Sequence, residues 1–207
     1  MSPTVIAAFI AACILLGLTP GPNMSLIVAN TLASGLRAGL ATLAGAGLGL
    51  TILITLAAAG MSSVMVFMAD WFDIVRWVGA VYLLLLGARQ LWGWWQRCGS
   101  GLPPPPVKSS SGVFLQGLIV SLSNPKVILF LGAFLPQFVD PARNPVPQLV
   151  VLAVLFIVTL ILVDVAYTVA IARARATLDP RRLSALDGIA GALLMVGGFV
   201  LATARRP

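Results

Sequence analysis

Three places in this 207-residue sequence carry residue types that could do chemistry within an otherwise apolar chain. They are Thr19-Pro20-Gly21-Pro22-Asn23, Ser123-Asn124-Pro125-Lys126 and the acid Asp164. Asn23 and Asn124 each offer amide donors and an acceptor. Lys126 and Asp164 lie inside long apolar runs, where a charge is costly and is functional by default. Such a set suits a small zwitterion: a cation or a helix N-terminus for a carboxylate, an acid for an ammonium group or a proton. Lys126 could instead pair with Asp164 or reach toward the membrane surface, and Asp164 could be its structural partner. A nucleophilic pair of Ser25 or Ser123 with Lys126 is chemically possible, so an intramembrane Ser-Lys enzyme is the alternative from a different class.

Other chemistries are poorly served. The sequence has no histidine, which removes Ser-His hydrolysis and the commonest metal ligand. Cys13 and Cys98 lack the CxxC spacing of a thiol redox relay. Cys13, Asp164 and the asparagines are too sparse for a coordination shell, so neither a metal nor a cofactor is expected.

The elements that must position these groups follow from composition. Hydrophobic residues make up 59% of the chain, charged residues only 9%, and the mean hydropathy is +1.03. A globular domain is roughly a quarter charged, so the chain cannot cover a water-facing surface and is read as an integral membrane protein. The net charge of +7 comes from basic residues scattered at the ends of apolar runs rather than clustered. That distribution fits membrane topology and anionic headgroups, not nucleic acid. No Lys or Arg precedes the apolar run Val5 to Leu18, so it reads as an uncleaved first span rather than a signal peptide.

Six segments are long enough for helical spans: about Val5–Leu32, Gly39–Ala59, Ile74–Trp94, Val113–Phe138, Val146–Ile171 and Leu186–Thr203. The first and fourth are interrupted. Pro20 and Pro22 around Gly21, and Pro125 after Asn124, remove backbone donors and should break a helix. At bilayer depth, freed backbone groups are tolerable only where protein or a watery cavity receives them. The breaks also correspond. An offset of 103 carries Pro22 onto Pro125; Gly35 follows Asn23 by twelve residues, as Pro136 follows Asn124. A repeat with an odd number of crossings must re-enter from the opposite face. The expected fold is therefore an all-α membrane protein of six transmembrane helices, in two inverted three-helix repeats with helices one and four broken. The repeats are 1–95 and 113–207, joined by a Pro/Ser-rich cytoplasmic linker at 96–112. This pattern points to a transporter site near the midplane. The half-helices after the breaks would start near Met24-Ser25 and Lys126-Val127, with unpaired N–H groups and a partial positive charge.

Topology follows from basic residues. Loops after spans one, three and five hold Arg37, Arg89, Arg97, Lys108, Arg173, Arg175, Arg181 and Arg182; the other side holds Arg76, Arg143, Arg205 and Arg206. The excess places the odd-numbered loops in the cytoplasm and both termini outside. Trp71 and Trp77 at one end of the third segment, with Trp92, Trp94 and Trp95 at the other, read as two interfacial belts. Gly35/Gly39 and Gly45/Gly49, each four apart, suit close helix packing and would also serve a homodimer.

The stretch Thr19-Pro20-Gly21-Pro22-Asn23 with Gly35-Leu36-Arg37-Ala38-Gly39 resembles the lysine-exporter superfamily. So does Ser123-Asn124-Pro125-Lys126, followed by Phe130-Leu131-Gly132-Ala133-Phe134-Leu135-Pro136-Gln137-Phe138. The resemblance covers essentially the whole chain and is nearest to the homoserine/threonine exporter branch. It implies a multi-pass protein of the bacterial inner membrane that exports amino acids or close zwitterionic analogues, driven by protons and without enzymatic activity. The candidate substrate site is Pro20, Gly21, Pro22, Asn23, Asn124, Pro125 and Lys126, with Asp164 as the proton-coupling residue. A cation or metal exporter of the wider superfamily is the nearer alternative.

Overall fold

Every one of the six apolar segments is helical. The computed structural model describes residues 1–19, 21–59, 61–98, 110–140, 142–177 and 180–203. The first segment forms α1 (Pro3–Leu18) and α2 (Pro22–Ser34), bent by 54° across the break. It is followed by α3 (Leu36–Ala59) and α4 (Met61–Cys98). The fourth segment forms α5 (Ser110–Leu122) and α6 (Pro125–Leu129), then a π-helical turn, Phe130–Phe134, and a 3-10 turn, Leu135–Phe138. Helices α7 (Pro145–Ala176) and α8 (Pro180–Thr203) complete the order. Among the described residues there is no strand. Among the described residues two helices, over Leu36–Ala57 and Pro145–Ala176, are long and apolar enough to cross a membrane, and the bent α1/α2 pair is a third when taken together. The linker expected at 96–112 lies largely outside the described residues.

Prolines and short polar side chains set the helix starts. Pro3, Pro22, Pro125 and Pro145 each sit in a first turn, where the missing N–H would have no intrahelical partner anyway. Ser2 Oγ accepts from Val5 N at 3.3 Å and Asn144 Oδ1 from Val146 N at 3.0 Å, both as N-caps. Helix α2 ends at Gly35 with φ +84°, a left-handed conformation that glycine adopts without a Cβ penalty. Pro136 stands twelve residues past Asn124, as Gly35 does past Asn23. Regular α geometry is lost earlier, from Phe130, because Pro136 has no N–H and its ring crowds the carbonyl four residues back. The chain widens to π and then tightens to 3-10 before Val139.

Small residues and an aromatic cluster hold the layers together. Helix α3 lies along α5, α7 packs on α3, and α4 lies along α8. A Cβ on Gly45 would strike the Phe114 carbonyl of α5, and one on Gly117 the Thr42 carbonyl of α3. The Gly45/Gly49 face thus packs a helix, but within the chain, and is not free for a second copy. Phe9 of α1, Phe130 and Phe156 of α7 form the other core: Phe130 stacks on Phe156 with centroids 5.1 Å apart, and Phe138 meets Phe9 edge-on at 5.0 Å. These rings pin the irregular turns of the fourth segment between α1 and α7. Trp77, Trp92 and Trp95 are all more than half exposed, as interfacial belt residues should be.

Candidate functional site

The two breaks lie on one cavity. Its lining comes from Leu16 and Gly17 before the first break, Asn23 and Met24 after it, and Asn124, Lys126 and Val127 at the second. Ala46, Gly47 and Leu50 of α3 and Leu160, Ile161 and Asp164 of α7 close it. Its volume is about 30 Å³, enough to admit water. Two residues 101 positions apart in the chain, Asn23 and Asn124, are brought together here with Asp164.

At the second break, Asn124 is the N-cap of α6. Its Oδ1 accepts from Lys126 N at 3.1 Å, which fixes the direction of the amide and leaves Nδ2 as a donor. Asn124 is 1% exposed, and its Nδ2 has no hydrogen-bond partner. A buried donor without a partner is costly, so this atom is poised for a ligand. At the first break, Gly21 precedes α2 without a side-chain cap, and Pro22 is the first helical residue. The next N–H groups, on Asn23 and Met24, are those a helix leaves without intrahelical partners. Asn23 Oδ1 is likewise buried and unpartnered.

Lys126, read as a carboxylate ligand or a partner of Asp164, is held by backbone carbonyls. Its Nζ donates to the carbonyls of Leu16 at 2.8 Å and Thr19 at 2.7 Å. A cation thereby caps the negative end of α1, and its stem runs over Gly21, where a Cβ would lie 3.3 Å from Nζ. Among the described residues it forms no direct ion pair with Asp164. Asp164 instead accepts from Tyr167 Oη at 2.7 Å, and its carboxylate lines the cavity.

All the site residues read from the sequence that the structure describes therefore meet at this cavity or flank it. Pro20 lies outside the described residues, and Pro125 contributes the first residue of α6. Tyr167 is the hydrogen-bonding neighbour of Asp164; it stands three residues later, one helical turn away. A second polar cluster went unread: Asn30 Nδ2 of α2 donates to Thr42 Oγ1 of α3 at 3.0 Å and to Gln116 Oε1 of α5 at 3.1 Å. Arg175 of α7, counted only as a topology signal, caps α2 through the Leu32 carbonyl at 2.7 Å. The serines are placed away from nucleophilic work. Ser123 Oγ donates to Ile119 O at 2.9 Å, and Ser25 lies against Gly197 of α8, while Lys126 Nζ is held by carbonyls.

Comparison with known proteins places the chain in a family. A homoserine/homoserine lactone efflux protein of Salmonella typhi is 33% identical over 201 residues, covering 96% of each chain. An uncharacterized membrane protein of Vibrio cholerae is 30% identical over 200 residues, again 96% of each. A leucine efflux protein of Salmonella choleraesuis is 36% identical over 132 residues, 64% of this chain and 62% of the relative. No solved structure matches the chain significantly. The LysE type translocator family matches residues 14–205, nearly the full length and both breaks, and this chain belongs to that family.

Proposed function

We propose that this protein is a secondary transporter that exports amino acids or close small zwitterionic analogues across the bacterial inner membrane, with Asp164 carrying the coupling proton. The observation that carries the reading is the pair of unpartnered amide atoms, Asn23 Oδ1 and Asn124 Nδ2, buried at one cavity with a carboxylate. A donor and an acceptor on two residues that line the same small space suit a ligand that is both anion and cation. The substrate carboxylate meets Asn124 Nδ2 and the N-terminus of α2, whose partial positive charge favours it. The ammonium group meets Asp164 and Asn23 Oδ1. Gly21, Pro22 and Pro125, with Pro20 on the sequence reading, hold the two breaks open, and Lys126 holds α1 against the second break. The homoserine/homoserine lactone efflux protein named above is similar over 96% of this chain, which favours export.

The reading includes six spans in two inverted repeats, 1–95 and 113–207, with 96–112 as the cytoplasmic linker. The packing of α3 on α7 and of α4 on α8 supports it, because each pair joins equivalent helices of the two repeats. The placements of Ser25, Ser123 and Lys126 favour transport over hydrolysis. The experiment is a screen of radiolabelled amino-acid efflux from cells with and without the protein. Faster loss of at least one amino acid supports the reading; equal retention of all of them, with the protein in the membrane, refutes it.

A further inference from the structure

The glycines of α3 divide between two tasks. Gly45 and Gly49 face α5, and a Cβ on Gly49 would lie 2.8 Å from Ser121 Cβ, so close helix approach requires both. Gly47 faces α7 and lines the cavity. A Cβ there would meet only Ile161, with Cδ1 at 3.5 Å, which is ordinary contact. No helix approach demands a glycine at this position, and glycine weakens a helix relative to alanine. What the missing side chain supplies is room in the cavity.

The cavity wall also divides by element. Its hydrogen-bonding side chains come from the two breaks and from Asp164, whereas α3 contributes only Ala46, Gly47 and Leu50, opposite Leu160 and Ile161. An amino acid held by its charged ends on the polar side must lay its side chain on this apolar face. We infer that Gly47 and Ile161 set the side-chain size of the amino acid, Gly47 leaving the room and Ile161 bounding it, and that the site takes aliphatic side chains. This rests on the export reading above. The present cavity of about 30 Å³ is small and partly open, so a larger side chain is admitted as Ile161 moves off Gly47. A methyl group at position 47 occupies that gap without touching the backbone of another helix.

The test is counterflow in proteoliposomes of the full chain with alanine, 2-aminobutyrate, norvaline and norleucine. Gly47→Ala is expected to lower the norleucine-to-alanine transport ratio about tenfold or more, the scale on which an apolar pocket discriminates one methylene. Ile161→Ala is expected to raise that ratio. Ratios within twofold of wild type in both variants, with both proteins folded, overturn the inference. Should Gly47→Ala fail to fold, Ile161→Ala decides alone, because it removes atoms. Transport of none of the series by a wild-type protein that exports another amino acid overturns the aliphatic assignment, export of no amino acid at all overturns the export reading itself, and wild-type transport with unaltered variant ratios overturns the role of Gly47 and Ile161.

Discussion

Lys126, one residue past the second break, donates its ammonium group to the Leu16 carbonyl at the end of the half-helix before the first break, at 2.8 Å. With the Thr19 carbonyl as second acceptor, one side chain ties the two interruptions together. Lys126→Met keeps the stem and removes both bonds. Hydrogen bonds to charged groups contribute about 1.5–3 kcal/mol each, and losing a buried charge returns part of this. We expect a net loss of about 2 kcal/mol in unfolding experiments, together with weakened efflux. If Lys126 served only to bind a substrate carboxylate, the variant would unfold as the wild type does and show only a raised KM.

The positions of both breaks were legible in the sequence because proline fixes φ and removes a donor wherever it stands. Asn124 was legible for the same reason, since Asn before Pro suits a helix cap. The partners of Lys126 were not. They are backbone carbonyls 110 and 107 residues away, and a carbonyl has no residue type to announce it. Gly45 and Gly49 signalled a close approach through their spacing, but not that α5 of the same chain makes it. Asn30 carried a usable signal, a carboxamide inside an apolar helix, yet its acceptors come from two other helices. Pro136 signalled a helix stop, but not that regular α geometry would end already at Leu129.

The α3–α5 contact gives a sharp contrast between neighbouring glycines. At Gly45 and Gly117 an added Cβ meets the backbone of the facing helix, which cannot move aside as a flexible side chain would. Gly45→Ala and Gly117→Ala are each expected to destabilise the protein by about 3 kcal/mol, the upper range for overpacking. Gly47→Ala should stay within about 1 kcal/mol of wild type. Thermal unfolding of the three purified variants checks this. Equal stability for Gly45→Ala and Gly47→Ala would mean that the two helices are not so close in the membrane.

Topology is testable from the basic residues. Arg143 pairs with Asp140 at 3.3 Å in an exposed turn between the fourth and fifth segments, as a residue outside the bilayer should. Reporters fused after Arg97 and after Arg181 are expected to read cytoplasmic, and one after Arg143 external. A C-terminal reporter should read external. If it reads cytoplasmic, the number of crossings is odd and the two halves cannot be inverted copies of three spans each.

Asp164 carries the most consequential prediction. A carboxylate at bilayer depth is costly when charged, and here Tyr167 donates to Oδ1 at 2.7 Å while the rest of the group faces the cavity. Asp164→Asn keeps an oxygen for Tyr167 and removes the titratable proton. Because Lys126 donates to the Leu16 and Thr19 carbonyls, its ammonium group keeps two hydrogen-bond acceptors after the change. Folding should therefore survive, with unfolding within about 1 kcal/mol of wild type, the net worth of one neutral hydrogen bond. In proteoliposomes with an imposed pH gradient, uphill efflux and its dependence on the gradient should vanish, while downhill exchange of substrate persists. Tyr167→Phe leaves the acid but removes its donor, so it should weaken coupling without abolishing it. Gradient-driven efflux at the wild-type rate in Asp164→Asn would remove this residue from the coupling step. Collapse of the fold in that variant would instead make Asp164 a structural partner of Lys126 across the cavity, and Asp164→Asn with Lys126→Met would then recover yield.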